Sequence, residues 1–330
     1  MTVWMAAVLA VAVAALALAA FMTAMPGTSY RGTPPPLDAR EAALRRGLER
    51  HVAVLAGEIG ERNVWHAEAL EAARRYIAGE LEGLGYRVRH QDYEIWGRRV
   101  FNLDADLAGR AAPEEIILLG AHYDSVLGCP GAGDNASGVA ALLELARILR
   151  EVEMDRTIRF AAFVNEEPPF FFTGRMGSAV YAKEQRRSGA RIAAMFSLET
   201  IGYFSDRPGS QRYPFPLRGL YPDRGCFIAF VGNLASRRLV RRSIRTFRRH
   251  ARLPSEGIAA PGYLPGVFWS DQWAFWRQGY RAVMITDTAP FRYPFYHTPQ
   301  DTPDKLDYDR MAHLVAGLAE VVRDLAAAER

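Results

Sequence analysis

Cysteine is scarce in this chain of 330 residues, which holds only Cys129 and Cys226. Two thiols make no disulfide framework, so both are expected to be unpaired, and a metal site must draw on other donors. Strong charge of one sign is also missing, because the formal net charge is only +4. A hydrophobic share of 49% with 11% aromatics excludes a disordered chain. Eight arginines crowd into "SRRLVRRSIRTFRRHAR", residues 236–252, and removing them from +4 leaves −4 for the rest. The remainder is therefore mildly acidic, which argues against a polyanion binder. Within that segment Val240, Ile244, Phe247 and Ala251 recur at helical spacing, predicting a helix with one buried stripe and a solvated basic face. A nucleic-acid-binding helix is the rival reading, and no base-reading motif accompanies it.

Charge is absent altogether from residues 1–30, and "WMAAVLAVAVAALALAAFMTAM", residues 4–25, is almost wholly apolar. That is about the ~20 residues a bilayer-spanning helix needs. A cleaved signal peptide has a basic start and a shorter apolar core, so residues 1–25 read as a membrane anchor, with signal cleavage after Ala17, Ala19 or Ala20 as the alternative. Arg31, Arg40, Arg45 and Arg46 follow the apolar run and would favour the cytoplasmic side. Proline, glycine and small polar residues make 26–37 a linker. No repeat or second boundary interrupts 38–330, which reads as one domain.

Helical patterns fall at 38–55, 65–84, 136–150, 176–186, 234–252 and 308–328. Strand-like runs fall at 86–93, 100–107, 115–121, 157–164, 192–198, 226–231 and 282–286. The alternation predicts an α/β/α sandwich with a central mixed, mostly parallel sheet. Ligands of such sheets sit beyond the carboxyl ends of the strands. Here the strand ends carry His122 and Asp124, then Asn165, Glu166 and Glu167, then Glu199, and then Asp287 with His297 farther on. One carboxylate after a strand is usually a helix cap or a solvated charge. Four strand ends doing so together predict a cation, and His, Asp and Glu donors select zinc first.

"AHYDS" (121–125), "GAGDNASG" (131–138), "NEE" (165–167), "SLET" (197–200), "SD" (270–271) and "YHTPQDT" (296–302) occur in this order. On these motifs the chain resembles the co-catalytic di-zinc exopeptidases, such as bacterial leucyl aminopeptidases and glutamate carboxypeptidase, over everything after the linker. The resemblance implies two zinc ions bridged by Asp134, one also held by His122 and Glu199, the other by Glu167 and His297. It implies Glu166 as the general base acting on a metal-bridging water, Asp124 as the carboxylate orienting the His122 ring, and Tyr296 as a donor to the oxyanion. A cis peptide between Asp134 and Asn135 is a further implication. The glycines around Asp134 would let one carboxylate reach two ions ~3.5–4 Å apart.

Two departures stand out. Gly133 replaces an aspartate or asparagine common in relatives, and Glu199 replaces the aspartate of better-known secreted members, although membrane-embedded members also carry glutamate. The resemblance implies an aminopeptidase acting on peptides, which the apolar N-terminus would anchor in a membrane, its domain outside the cytoplasm as exported relatives are. A one-zinc glutaminyl cyclase and a non-catalytic receptor-like domain share the scaffold. The aromatic segments "PPFFF", "VFWSDQW" and "FRYPFY" flank proposed ligands and fit either a side-chain pocket or ordinary packing.

Overall fold

Ile117, Leu119 and Ala121 enter one apolar core, whereas the alternate residues Ile116 and Leu118 enter another. A strand that is apolar at every position must be covered on both faces, and here it is. The computed structural model describes residues 3–215 and 217–327, apart from the side chains of Val3 and Ala6. In chain order come α1 (Val3–Thr23), α2 (Ala39–Val52), α3 (Ala67–Gly83), β1 (Arg89–Ile95), β2 (Arg98–Leu107), β3 (Ala112–His122) and α4 (Ser137–Leu149). There follow β4 (Arg156–Phe163), α5 (Gly177–Arg187), β5 (Arg191–Glu199), β6 (Ile228–Asn233), α6 (Arg237–His250) and β7 (Ser255–Ala260). The chain ends with α7 (Gln272–Arg277), β8 (Ala282–Thr286) and α8 (Tyr308–Ala326).

The eight strands form one mixed sheet in the order β1-β2-β4-β3-β5-β8-β6-β7. The central pairings β4–β3, β3–β5 and β5–β8 are parallel, as is β6–β7, and the other three are antiparallel. Helices α2, α3, α4, α6 and α8 share the larger core, and α5 and α7 cover the opposite face. The fold is the expected α/β/α sandwich. Two elements escaped the sequence reading. β7 is short, with glycine and glutamate inside it, and α7 has six residues within an aromatic stretch, too few to show a period.

Local chemistry sets the boundaries. Asp38 accepts from the N–H groups of Arg40 and Glu41, and the Glu41 side chain accepts from Asp38 N–H, a reciprocal cap that starts α2. Helix α4 is apolar nearly all round because α2, α3, α8 and the sheet enclose it. Residues 26–37, a linker by composition, are bound along their length. Arg248 donates to the carbonyls of Pro26 (3.2 Å) and Gly27 (3.1 Å), and Ser29 Oγ accepts from Ser255 N–H at 2.9 Å. His313 Nε2 lies 3.0 Å from the Pro35 carbonyl.

The membrane anchor expected for residues 1–25 is not established by the fold. Among the described residues no helix is long and apolar enough to cross a membrane. Helix α1 (Val3–Thr23) is uncharged and exposes Leu9, Val13, Leu16 and Phe21.

Candidate metal centre

His122 ends β3, Glu166 and Glu167 follow β4, Glu199 ends β5, and His297 lies on the loop after β8. The departing chains turn sharply at left-handed residues: Asn165 (φ 58°) before the glutamate pair, Thr200 (φ 42°) after Glu199, and His297 itself (φ 57°). Strained backbone of this kind persists only where the surroundings fix it.

The loop from β3 to Asp134 is held from beneath by Arg62, which is fully buried. Its guanidinium donates to the carbonyls of Tyr123 (2.7 Å), Gly131 (2.8 Å), Gly60 (3.1 Å), Leu55 (3.3 Å) and Pro130. Asp301 braces the other side. Its two oxygens accept from Gly133 N–H (2.7 Å) and Asp134 N–H (3.1 Å), and Tyr293 donates its hydroxyl to it at 2.6 Å. A Cβ at Gly133 would meet the Tyr293 ring at 2.8 Å and Asp301 Oδ1 at 3.1 Å, so the residue common in relatives has no room here. Asn135 then ties the start of α4 to the end of β5, accepting from Gly138 and Thr200 N–H and donating to the Leu198 carbonyl. The Asp134–Asn135 peptide is cis, as the motif implied.

These elements bring five side chains into two donor groups that share one residue: His122, Asp134 and Glu199, and Asp134, Glu167 and His297. Asp134 Oδ1 lies 3.2 Å from His122 Nε2, while its Oδ2 lies 3.0 Å from His297 Nε2. Glu199 Oε2 is 3.3 Å from His122 Nε2, and Glu167 Oε2 is 3.3 Å from His297 Nε2. Each oxygen of one carboxylate thus faces a different group. His122 Nε2, Asp134 Oδ1 and Glu167 Oε1 are buried with no hydrogen-bond partner. Orphaned buried polar atoms are costly, and a cation in each donor group would give them partners. The donors are nitrogen and oxygen with no thiolate, a set that fits zinc.

The electrostatics agree. Burial and the neighbouring Asp134 push the Glu167 carboxyl up to about 8. Burial also raises Glu166 well above the carboxylate range, with His122 opposing and Glu199 and Glu167 adding to the rise. Burial disfavours charge on His297, but hydrogen bonds to Asp134 and Glu167 carry it up to about 10.

Glu166 belongs to neither donor group, and its Oε2 lies 4.0 Å from His122 Nε2. Asp124 Oδ1 is 3.5 Å from His122 Nδ1, too far for a strong hydrogen bond. Its closer bonds run to the backbone N–H groups of Glu166 (3.0 Å) and Glu167 (3.2 Å), so it fixes the glutamate pair more firmly than the ring. Tyr296 stacks on His297 at 3.9 Å between centroids. Burial and the site carboxylates, Asp134 first, hold its hydroxyl protonated. Ser270 Oγ donates to Glu199 Oε2 at 2.6 Å. The motifs containing Ser270 and Asp301 were visible in sequence, whereas their tasks were not. Nothing in the sequence singled out Arg62.

Residues 102–322 match the model of peptidase family M28. The chain is 40% identical over 280 residues to the protein YfbL of Escherichia coli (strain K12), covering 82% of this chain and 85% of that one. It is 31% identical over 210 residues to leupeptin-inactivating enzyme 1 of Streptomyces exfoliatus, covering 62% of this chain and 46% of that one. Among solved structures, the zinc aminopeptidase BSAP from Bacillus subtilis superposes with a TM-score of 0.68 at 16% identity, over 87% of this chain and 96% of that one. The glutaminyl cyclase of Fimbriiglobus ruber superposes with a TM-score of 0.62 at 18% identity, over 89% and 97%. The two solved structures share the fold, and the family match with a long relative at 40% identity goes further: this chain belongs to peptidase family M28.

Proposed function

We propose that this chain is a two-zinc exopeptidase, an aminopeptidase that removes apolar N-terminal residues from peptides. The observation that carries the reading is Asp134, whose two oxygens face two separate sets of donors. One zinc would be held by His122, Asp134 and Glu199, the other by Asp134, Glu167 and His297. When bound, zinc supplies Lewis-acid polarisation of a carbonyl and acidifies water.

The chain's own residues do the rest. Glu166 is free of both donor groups and adjacent to them, so its carboxylate can take a proton from the attacking water and pass it to the leaving amine. The hydrogen bonds from its backbone and that of Glu167 to Asp124 hold base and ligand at a fixed separation. Tyr296, kept protonated, can donate to the carbonyl oxygen as negative charge develops there. Beside Glu199 and Tyr296, a small cavity is lined by Trp269, Met284, Pro290 and Phe291, which suits an apolar side chain. The fold likeness to glutaminyl cyclases offers a second reading, and metal stoichiometry separates the two.

The test pairs two substitutions and a metal assay. Glu167→Gln should lower bound zinc and activity together. Glu166→Gln should retain two zinc ions per chain and lose about 10²–10⁴-fold in kcat on aminoacyl reporter peptides. A single zinc per chain, or near-normal kcat in Glu166→Gln, overturns the reading.

We also propose that α1 anchors the chain in a membrane with the domain outside the cytoplasm. Its uncharged run and exposed Leu and Val side chains support the anchor, and the export of relatives supports the side. Arg31, Arg40, Arg45 and Arg46 weigh against that side. Reporter fusions after residue 40 test it, and a cytoplasm-only signal overturns it.

A further inference from the structure

The arginine-rich helix has no part in the proposed chemistry, and its surroundings give it another task. Leu239, Val240, Ile244 and Phe247 bury one face of α6. The opposite face carries Arg238, Arg241, Arg245 and Arg249, spaced by three or four residues into one stripe, and Arg252 follows just past the helix end. Arg238, Arg245, Arg249 and Arg252 are exposed. Two carboxylates beside the helix are taken by its other arginines, Asp324 by Arg242 at 2.9 Å and Glu256 beside Arg248 at 3.9 Å. Among the described residues, no ion pair neutralises the stripe.

The same helix grips the segment where the apolar α1 ends. The Arg237 guanidinium lies 4.0 Å from the Phe21 ring centroid, and its Nε donates to the Phe21 carbonyl at 2.8 Å. Arg241 donates to the Ala24 carbonyl. Arg248 reaches Pro26 and Gly27, so chain and helix run side by side in the same direction. Arg238 and Arg241 therefore sit beside the C-terminal end of α1. Arg245 follows at ~10 Å along the axis, about one Debye length at 0.1 M salt.

We propose that the arginine stripe of α6 binds the anionic phospholipid headgroups of the leaflet from which α1 emerges. The proposal rests on the reading of α1 as an anchor. An apolar helix and an unneutralised cationic face, clamped together by three arginines, present hydrocarbon and headgroup contacts at adjoining heights. Juxtamembrane basic residues attract anionic lipid by about 1 kcal/mol each, roughly fivefold in partitioning. Docking would hold the domain in one orientation on the bilayer instead of letting it swing on the anchor.

The test uses the full chain in four forms: wild type, an anchor variant (Leu9→Asp, Val13→Asp, Leu16→Asp), a stripe variant (Arg238→Gln, Arg245→Gln, Arg249→Gln), and their combination. None of these side chains enters the core, so all four should fold. Flotation is measured with phosphatidylcholine vesicles, with and without phosphatidylglycerol, at low and high salt. Wild type should float with both vesicle types at any salt. The anchor variant should bind only anionic vesicles, only at low salt, and the combined variant should bind them roughly 5–25-fold more weakly, fivefold for Arg238 and up to fivefold for Arg245, with Arg249 at ~16 Å adding little. Equal binding of the anchor variant to neutral and anionic vesicles, or no loss on adding the stripe substitutions, overturns the proposal. Wild type failing to float with neutral vesicles counts against the anchor instead. A DNA duplex that binds the anchor variant more tightly than anionic vesicles assigns the stripe to nucleic acid and also overturns the proposal, as does a low-salt dimer abolished by the stripe substitutions.

Discussion

Replacing Asp301 with alanine isolates what holds the bridging aspartate in place. Asp301 is fully buried and is the acceptor for Gly133 N–H, Asp134 N–H and the Tyr293 hydroxyl. A buried donor left without its partner costs about 1–3 kcal/mol, so the two N–H groups together cost about 2–6 kcal/mol. The Tyr293 hydroxyl can rotate toward another acceptor and adds less. Against a total stability of roughly 5–15 kcal/mol, this is a large fraction. Because the two N–H groups flank and include Asp134, the substitution also frees the one carboxylate shared by both donor groups. Zinc affinity should fall at least the 10–100-fold typical of lost supporting contacts. Tyr293→Phe is the control: it removes the hydroxyl and leaves both backbone bonds, at about 1 kcal/mol. The assay is the urea midpoint of the chelator-stripped protein together with zinc titration against a chromophoric chelator. Equal shifts for Asp301→Ala and Tyr293→Phe would show that the backbone brace does not hold the site.

The stripped protein should lose stability as pH rises from 6 to 8.5. The Glu167 carboxyl, raised to about 8 when folded, contributes fully below the ordinary carboxylate range and loses that contribution on the way up through about 8. Asp271, raised by burial to about 7, acts with the same sign, whereas Asp134, held low by His122 and His297 against the cost of burial, is constant over this window. A urea midpoint that climbs with pH refutes this, and saturating zinc should flatten the trend. Gly133→Ala should weaken zinc binding through its clash with the Tyr293 ring, and adding Tyr293→Val should recover part of the loss in a double-mutant cycle. Phe291 lines both the cavity beside Glu199 and a second, mostly apolar cavity, and Val231, Gly266 and Thr288 are shared between them as well. Phe291→Ala should therefore shift kcat/KM from leucyl toward tryptophanyl reporters by tenfold or more, about the ~1–3 kcal/mol that side-chain fit commands. An unchanged ratio would show that the two cavities do not communicate.

The metal-site residues were legible because each follows a strand whose apolar run stops abruptly, and strands of a parallel sheet end on one edge. His122, Glu167 and Glu199 could be read in that way from position alone. His297 needed the motif around it, since an aromatic loop of ten residues separates it from β8. The supporting residues were not legible by either route. Arg62 works through carbonyl oxygens, which leave no pattern in side-chain identity. Asp301 works through the backbone of a loop more than 160 residues away. Strand β7 was hidden because its neighbours in space supply what its composition lacks.

Strand β7 ends the sheet, and an uncovered edge strand is a template for joining another chain. Here the last turn of α1 and the residues just after it cover that flank. Ser29 Oγ takes the Ser255 N–H, Met22 packs beside Ile258 and Ala260, and Met25 lies against Gly257. From the opposite direction Tyr221 donates its hydroxyl to the Gly257 carbonyl. The stretch between helix and domain is thus a selvedge for the sheet as well as a tether. A truncation that starts at residue 20 keeps the selvedge, whereas one that starts at residue 31 strips it. Of two fragments with the same catalytic residues, the shorter should be the one that precipitates.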